Sequence, residues 1–204
     1  MEFYDVIRKR RSIRQFVDRE IPREVLECIL DAGLKAPSSN HQRRWELVVL
    51  TEKPVILELA QFIRPYPCRI QEPKTPQQEM FKIAYPRQRS MVEEAACVIL
   101  PFFKQKYPLS EDKNGYGLMD YGAAWALVEN MLLAATAEGL GSVVHIPVKK
   151  SRNRSGNFCK FRMAGTCPRS SFSDTPALRR RFRGRWRRLC KRKCIGTSGR
   201  ADYL

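Results

Sequence analysis

The chain has 204 residues, with 38 Lys+Arg against 21 Asp+Glu and a formal net charge of +17. That length suits one domain with a real core, and no uncharged apolar run approaches the roughly eighteen residues a membrane-spanning helix needs. The charge is uneven: residues 1–150 hold 22 Lys+Arg and 19 Asp+Glu, a net of +3, whereas residues 151–204 hold 16 and 2, a net of +14.

From the N-terminus, "MEFYDVIRKRRS" lacks the long apolar segment and small-residue cleavage site of a signal peptide, so a cytoplasmic protein is expected. "IPREVLECILDAGLKAP" reads as a helix with Pro22 at its first position, Val25, Leu26, Ile29 and Leu30 on one face, and Pro37 as its stop. Trp45–Leu50 and Cys97–Phe102 are short, apolar runs that read as buried strands. Between them a short helix is expected after Lys53, then a longer loop around "RPYPCRIQEPKTPQQ" that is placed to cover a site. "YGLMDYGAAWALVENMLLAATAEGLG" is the strongest helical signal, apolar almost all round as in a central helix, with Asp120, Glu129 and Glu138 arguing against lipid. Gly139 and Gly141 end it, and Ser142–Val148 reads as a further buried strand. Interleaved helices and strands predict a sheet covered by helices.

Beyond Lys150 the text changes. Residues 151–204 hold 13 Arg but no Val, Glu, Gln or His, and no apolar period of either kind. Such a segment is not patterned to bury surface, and it reads as a basic, Cys-containing tail, disordered or out of frame with the preceding domain. "RRRFRGRWRR" interleaves aromatics with arginines, which favours non-specific, salt-sensitive contact with nucleic acid. Cys159, Cys167, Cys190 and Cys194 lack the close pairs of a zinc site. Cys28 is expected on a core face and Cys97 at the start of a buried strand, as small packing residues. His41 and His145 show no metal-ligand spacing, so neither a metal nor a catalytic nucleophile is expected.

Two stretches carry chemistry. "RKRRSIRQF", Arg8 to Phe16, offers clustered guanidinium groups and one hydroxyl, suited to a phosphate; a solvated basic helix end is its plain structural explanation. "APSSNHQRRWELVVL", Ala36 to Leu50, offers small polar side chains able to approach a ligand closely, or simply a turn before a strand.

Taken in order, "RRSIRxF", "IPxEVLxxILxAGxxAPSSN", "WxxVVL" and the later "GLGSVVHIP" resemble the FMN-dependent nitroreductase family from about residue 3 to residue 150. The resemblance implies an α+β fold, a central mixed β-sheet flanked by helices, in a domain of residues 1–150 that works as a homodimer with FMN at the subunit interface. It implies hydride transfer from NAD(P)H through FMN to a small organic acceptor such as a nitroaromatic or quinone. By the same resemblance Arg10 and Arg11 hold the FMN phosphate, Ser12 lies near the ribityl chain, and Arg14 near the N1/O2 edge of the ring. Pro37, Ser38, Ser39 and Asn40 match a second FMN segment contributed by the other subunit. Gln88 matches an amide at the pyrimidine edge, and His145, Ile146 and Pro147 a strand end whose backbone approaches N5. "QRRW" stands where many members have Gln-Pro-Trp, and residues 151–204 match no family ending, so the fold is expected to be incomplete at its C-terminus.

Overall fold

The computed structural model describes residues 1–64, 66–103 and 115–146. The expectations for Pro147, Val148 and residues 151–204 lie outside the described residues. Helix α1 (Phe3–Lys9) carries Asp5 in its first turn and Arg8 and Lys9 in its last, which complements the helix dipole, and it buries Val6. Helix α2 (Arg23–Leu34) begins one residue later than expected, with Pro22 as the capping residue, and buries Leu26, Ile29, Leu30 and Gly33. Cys28, expected on that face, is exposed. One residue advances the helix by about 100°, so Cys28 is turned a full step away from Ile29.

Strand β1 (Trp45–Leu50) has the expected bounds, and β2 (Val98–Phe103) starts one residue after Cys97. They pair antiparallel, Trp45 opposite Phe103 through Leu50 opposite Val98. Because side chains alternate across a sheet, this ladder separates two cores. Trp45, Leu47, Val49 and Ile99 pack with Ile29 and Leu30 of α2 and with Leu127, Val128 and Met131. On the opposite face Val48, Leu50, Val98 and Leu100 pack with Ile56, Ala60, Met91 and Val92.

Those last residues belong to α3 (Lys53–Ala60) and α5 (Ser90–Glu94). Between them α4 (Pro76–Ala84) takes up the last three residues of the expected loop, Pro76, Gln77 and Gln78. Thr75 caps it by accepting from the Gln78 N–H at 3.2 Å, and Gln78 Oε1 accepts from the Lys74 N–H at 2.7 Å. Pro76 occupies the first turn, where its missing N–H is no loss.

Helix α6 (Tyr116–Ala137) spans the molecule and ends, as expected, before Gly139, whose φ of +75° is the left-handed turn that favours glycine. Its later half is the hub of the first core, and the Asn130 amide donates to the Ala32 carbonyl of α2 at 3.0 Å. At Gly33 a Cβ would stand 2.6 Å from Met131 Cγ and 3.3 Å from the Leu127 carbonyl oxygen, so glycine is what lets α2 approach. Near its start the same helix leaves Leu118, Met119 and Trp125 exposed.

Of the strand expected over Ser142–Val148, the described residues Ser142–Ile146 show a single parallel bridge, Ser12 to Ser142, with the Ile13 N–H donating to the Ser142 carbonyl at 3.0 Å. Val143 to Ile146 pair with no strand among the described residues. The described residues therefore give helices packed on a small sheet, an α+β arrangement with antiparallel and parallel pairing. No helix among them is long and apolar enough to cross a membrane. Leu127 is fully buried whereas Ile83 of α4 is exposed, so Leu127→Ala should cost about 2–5 kcal/mol in urea unfolding and Ile83→Ala less than about 0.5 kcal/mol.

Candidate functional site

The basic motif leaves α1 at Arg10, whose backbone turns to φ −56° and ψ 123° while its N–H still donates to the Val6 carbonyl. Arg10 Nε lies 3.7 Å from Glu129 Oε1 on α6. Arg11 and Arg14 are held locally: Arg11 Nη1 donates to the Arg10 carbonyl at 2.7 Å and Arg14 Nη1 to the Ser12 carbonyl at 3.2 Å. Among the described residues neither has a carboxylate within ion-pair distance. A bound anion would supply the counter-charge that neither guanidinium finds among the described residues.

A side-chain clamp fixes this segment to the body. Arg87 Nη2 donates to both oxygens of Glu94, at 2.7 and 2.6 Å, while Arg87 Nε donates to the Arg14 carbonyl at 3.0 Å. Glu94 Oε2 also receives the Phe16 N–H at 3.4 Å. One half-buried ion pair thus grips the backbone on both sides of Gln15. Helix α5 supplies Glu94, and its Met91 and Val92 anchor it in the second core.

His145 is 3% exposed, and its Nδ1 lies 2.8 Å from Gln88 Oε1. The Gln88 amide nitrogen donates to the Ala84 carbonyl at 3.0 Å, which turns Oε1 toward the imidazole. Nδ1 must then carry the proton, leaving Nε2 as a bare acceptor. That Nε2 is buried with no partner among the described residues, as is the Ser142 hydroxyl. Burial pushes the His145 pKa down from 6.5 to about 4. Tyr66, at the start of the loop expected to cover a site, sets its ring edge-on to His145 at 6.4 Å between centroids. Burial also pushes the Cys97 thiol up to about 12, far from a nucleophile's range.

Arg10, Arg11, Ser12, Arg14, Gln88 and His145 are therefore joined: Ser12 by its bridge to Ser142, Arg14 through Arg87, and Gln88 directly to His145. Ile146 follows His145 and is exposed. Pro37, Ser38, Ser39 and Asn40 stand apart, with no hydrogen bond or ion pair to that group among the described residues. Ser38 Oγ accepts from the Arg43 N–H at 3.0 Å, and Ser39 Oγ approaches Met119 Sδ at 3.8 Å. Met119 and Glu129, the α6 residues met by the two segments, are about 15 Å apart along the axis at 1.5 Å per residue. In this turn Asn40, His41 and Arg43 take left-handed φ values of +50°, +51° and +42°, a conformation held against local cost.

A family model for the Nitroreductase family matches residues 7–151. The chain belongs to the nitroreductase family. It is 28% identical over 143 residues to a Methanothermobacter thermautotrophicus protein named NADH dehydrogenase/NAD(P)H nitroreductase, covering 70% of this chain and 60% of that protein. A similarly named protein of Archaeoglobus fulgidus is 29% identical over 142 residues, covering 70% of this chain and 66% of that one. The chain thus spans less than two thirds of the length of these relatives. Among solved structures, a nitroreductase family protein from Clostridium novyi NT aligns with TM-score 0.56 at 26% identity, over 73% of this chain and 72% of that one.

Sequence reasoning missed Arg87, Glu94 and Tyr66. Their spacing announces little, because Arg87 and Glu94 meet partners 73 and 78 residues away. Since the folded pKa of His145 lies below its ordinary value, the unfolded chain binds the proton more tightly between those two values. Stability should be full above about pH 6.5 and fall as the pH drops toward about 4. Urea midpoints for wild type and His145→Gln at pH 7 and pH 5 check this, with the wild type expected to lose more between them.

Proposed function

We propose that this chain is a flavin-dependent oxidoreductase that holds FMN against the Arg10–Arg14 segment. The observation that carries the reading is the pair of guanidinium groups, Arg11 and Arg14, without carboxylate partners among the described residues, on a backbone clamped by Arg87 and Glu94. This donor set fits a cofactor with a phosphate at one end and a charge-accepting ring at the other. Arg10 and Arg11 bind the phosphate, and Ser12 orients the ribityl region. Arg14 supplies positive charge to the N1/O2 side of the ring, where reduction places negative charge. When bound, FMN supplies the redox chemistry, accepting hydride from NAD(P)H and delivering it to a small organic acceptor such as a nitroaromatic or quinone.

Gln88 acts on this reading mainly by orienting His145, since both ends of its amide are engaged. The backbone of His145 and Ile146 closes the site beside the ring, and Pro147 lies outside the described residues. Pro37, Ser38, Ser39 and Asn40 serve the equivalent site of a second copy in a homodimer. Their separation from Arg10 along α6 supports that assignment, as do the exposed Phe3, Tyr4, Leu118, Met119 and Trp125. Residues 1–150 are the catalytic domain, and the charge of residues 151–204 adds only non-specific attraction to polyanions.

Arg11→Ala should weaken FMN binding by about 10- to 100-fold, the loss of a contact worth about 1.5–3 kcal/mol, measured by quenching of flavin fluorescence. Arg14→Ala should slow flavin reduction by NAD(P)H more than it weakens FMN binding, read by stopped-flow absorbance. Wild-type affinity in the first variant, or a wild-type reduction rate in the second, would remove the corresponding role.

A further inference from the structure

Of the guanidinium groups at Arg10, Arg11 and Arg14, the described residues give a carboxylate only to Arg10. Its Nε lies 3.7 Å from Glu129 Oε1, whereas Arg11 and Arg14 turn back onto carbonyls of their own segment. Among the described residues Arg10 is also the only cation within ion-pair distance of Glu129. The guanidinium assigned to the FMN phosphate therefore already faces an anion of the chain itself.

Both ends of this contact are fixed at the backbone and loose at the tip. Glu129 stands between Val128, 4% exposed in the first core, and Asn130, whose amide donates to the Ala32 carbonyl. Arg10 is tied to the buried Val6 of α1 by its N–H, which donates to the Val6 carbonyl at 2.9 Å. The two side chains meet nearer the surface, 30% exposed for Arg10 and 52% for Glu129. Their separation exceeds the roughly 2.7–3.2 Å of a formed N–H···O bond, whereas Arg87 and Glu94 close to 2.6 Å. A loose, half-exposed pair contributes little to stability and opens readily. A phosphate can accept two parallel N–H···O bonds from one guanidinium, which is a stronger contact than this one. The displaced carboxylate stays on α6, within the roughly 8 Å over which charges act at physiological ionic strength, and it repels the anion that replaced it.

We propose that Glu129 is the resident counter-ion of Arg10, displaced by an incoming phosphate, and that it sets how tightly this site takes an anion. Its charge lowers the affinity for phosphate-bearing ligands and leaves that for an uncharged ligand alone. Glu129 is not a catalytic residue, since it acts through Arg10. This inference rests on the proposed FMN site.

The test titrates the 204-residue chain and its Glu129→Gln variant with FMN and with riboflavin, followed by quenching of flavin fluorescence. Glu129 is half-exposed, so the amide of the same shape is accommodated without loss of the fold. Glu129→Gln should bind FMN about two- to fivefold more tightly than wild type, with riboflavin unaffected and the gain shrinking as salt is raised. In an Arg10→Gln background the gain should vanish, because no contact is left to displace. Unchanged or weaker FMN binding by Glu129→Gln, an equal gain for riboflavin, or a gain that survives in the Arg10→Gln background would overturn the proposal. If wild type binds no FMN, the flavin reading fails by itself, and inorganic pyrophosphate becomes the probe. It should still raise the thermal midpoint of Glu129→Gln more than that of wild type, and an equal rise would overturn the proposal.

Discussion

The Arg87–Glu94 ion pair is the fastening on which the candidate site depends. An exposed pair of this kind contributes about 0–1 kcal/mol, but this one is half-buried, engages both carboxylate oxygens, and holds two backbone groups of another segment. Without it the Arg14 carbonyl and the Phe16 N–H lose their partners together. The stretch that carries the cations would then be tied to the body by the Ser12–Ser142 bridge, the Arg10–Glu129 contact and the packing of Phe16 against the second core. Because α5 places Glu94, and Met91 and Val92 place α5, the geometry of the basic motif is set by the second hydrophobic core.

The imidazole beside it follows the same logic. A lone buried histidine would be free to choose its tautomer, but the Ala84 carbonyl orients Gln88, and Gln88 fixes the proton on Nδ1. Burial then keeps the ring neutral at ordinary pH. A neutral His145 adds no charge of its own, so the positive charge of this part of the molecule comes from the guanidinium groups of the basic segment.

Much of this was legible in the sequence where a local rule decides the structure. "WELVVL" gave β1 its bounds, and the Gly139 turn closed α6 where a left-handed residue was needed. Local rules failed where neighbours decide. The Val143–Val144 run carries the burial of a strand because it lies between two cores, but a ladder needs a partner beside it. Helix α4 was hidden by its prolines, although Thr75-Pro76 followed by Gln78 is a good helix start. The phosphate-binding character of Arg10, Arg11 and Arg14 could be read from residue type. The clamp that makes them a site could not, since it joins residues more than 70 positions apart.

The central claim is that the Arg10–Arg14 segment is an anchor for the phosphate of a flavin. It is tested most directly by titrating the 204-residue chain in parallel with FMN and with riboflavin, which differ by that phosphate alone. The account predicts saturable binding of FMN, with riboflavin at least tenfold weaker and the difference shrinking as salt is raised. Equal affinity for the two ligands, or no binding of FMN at all, would contradict it.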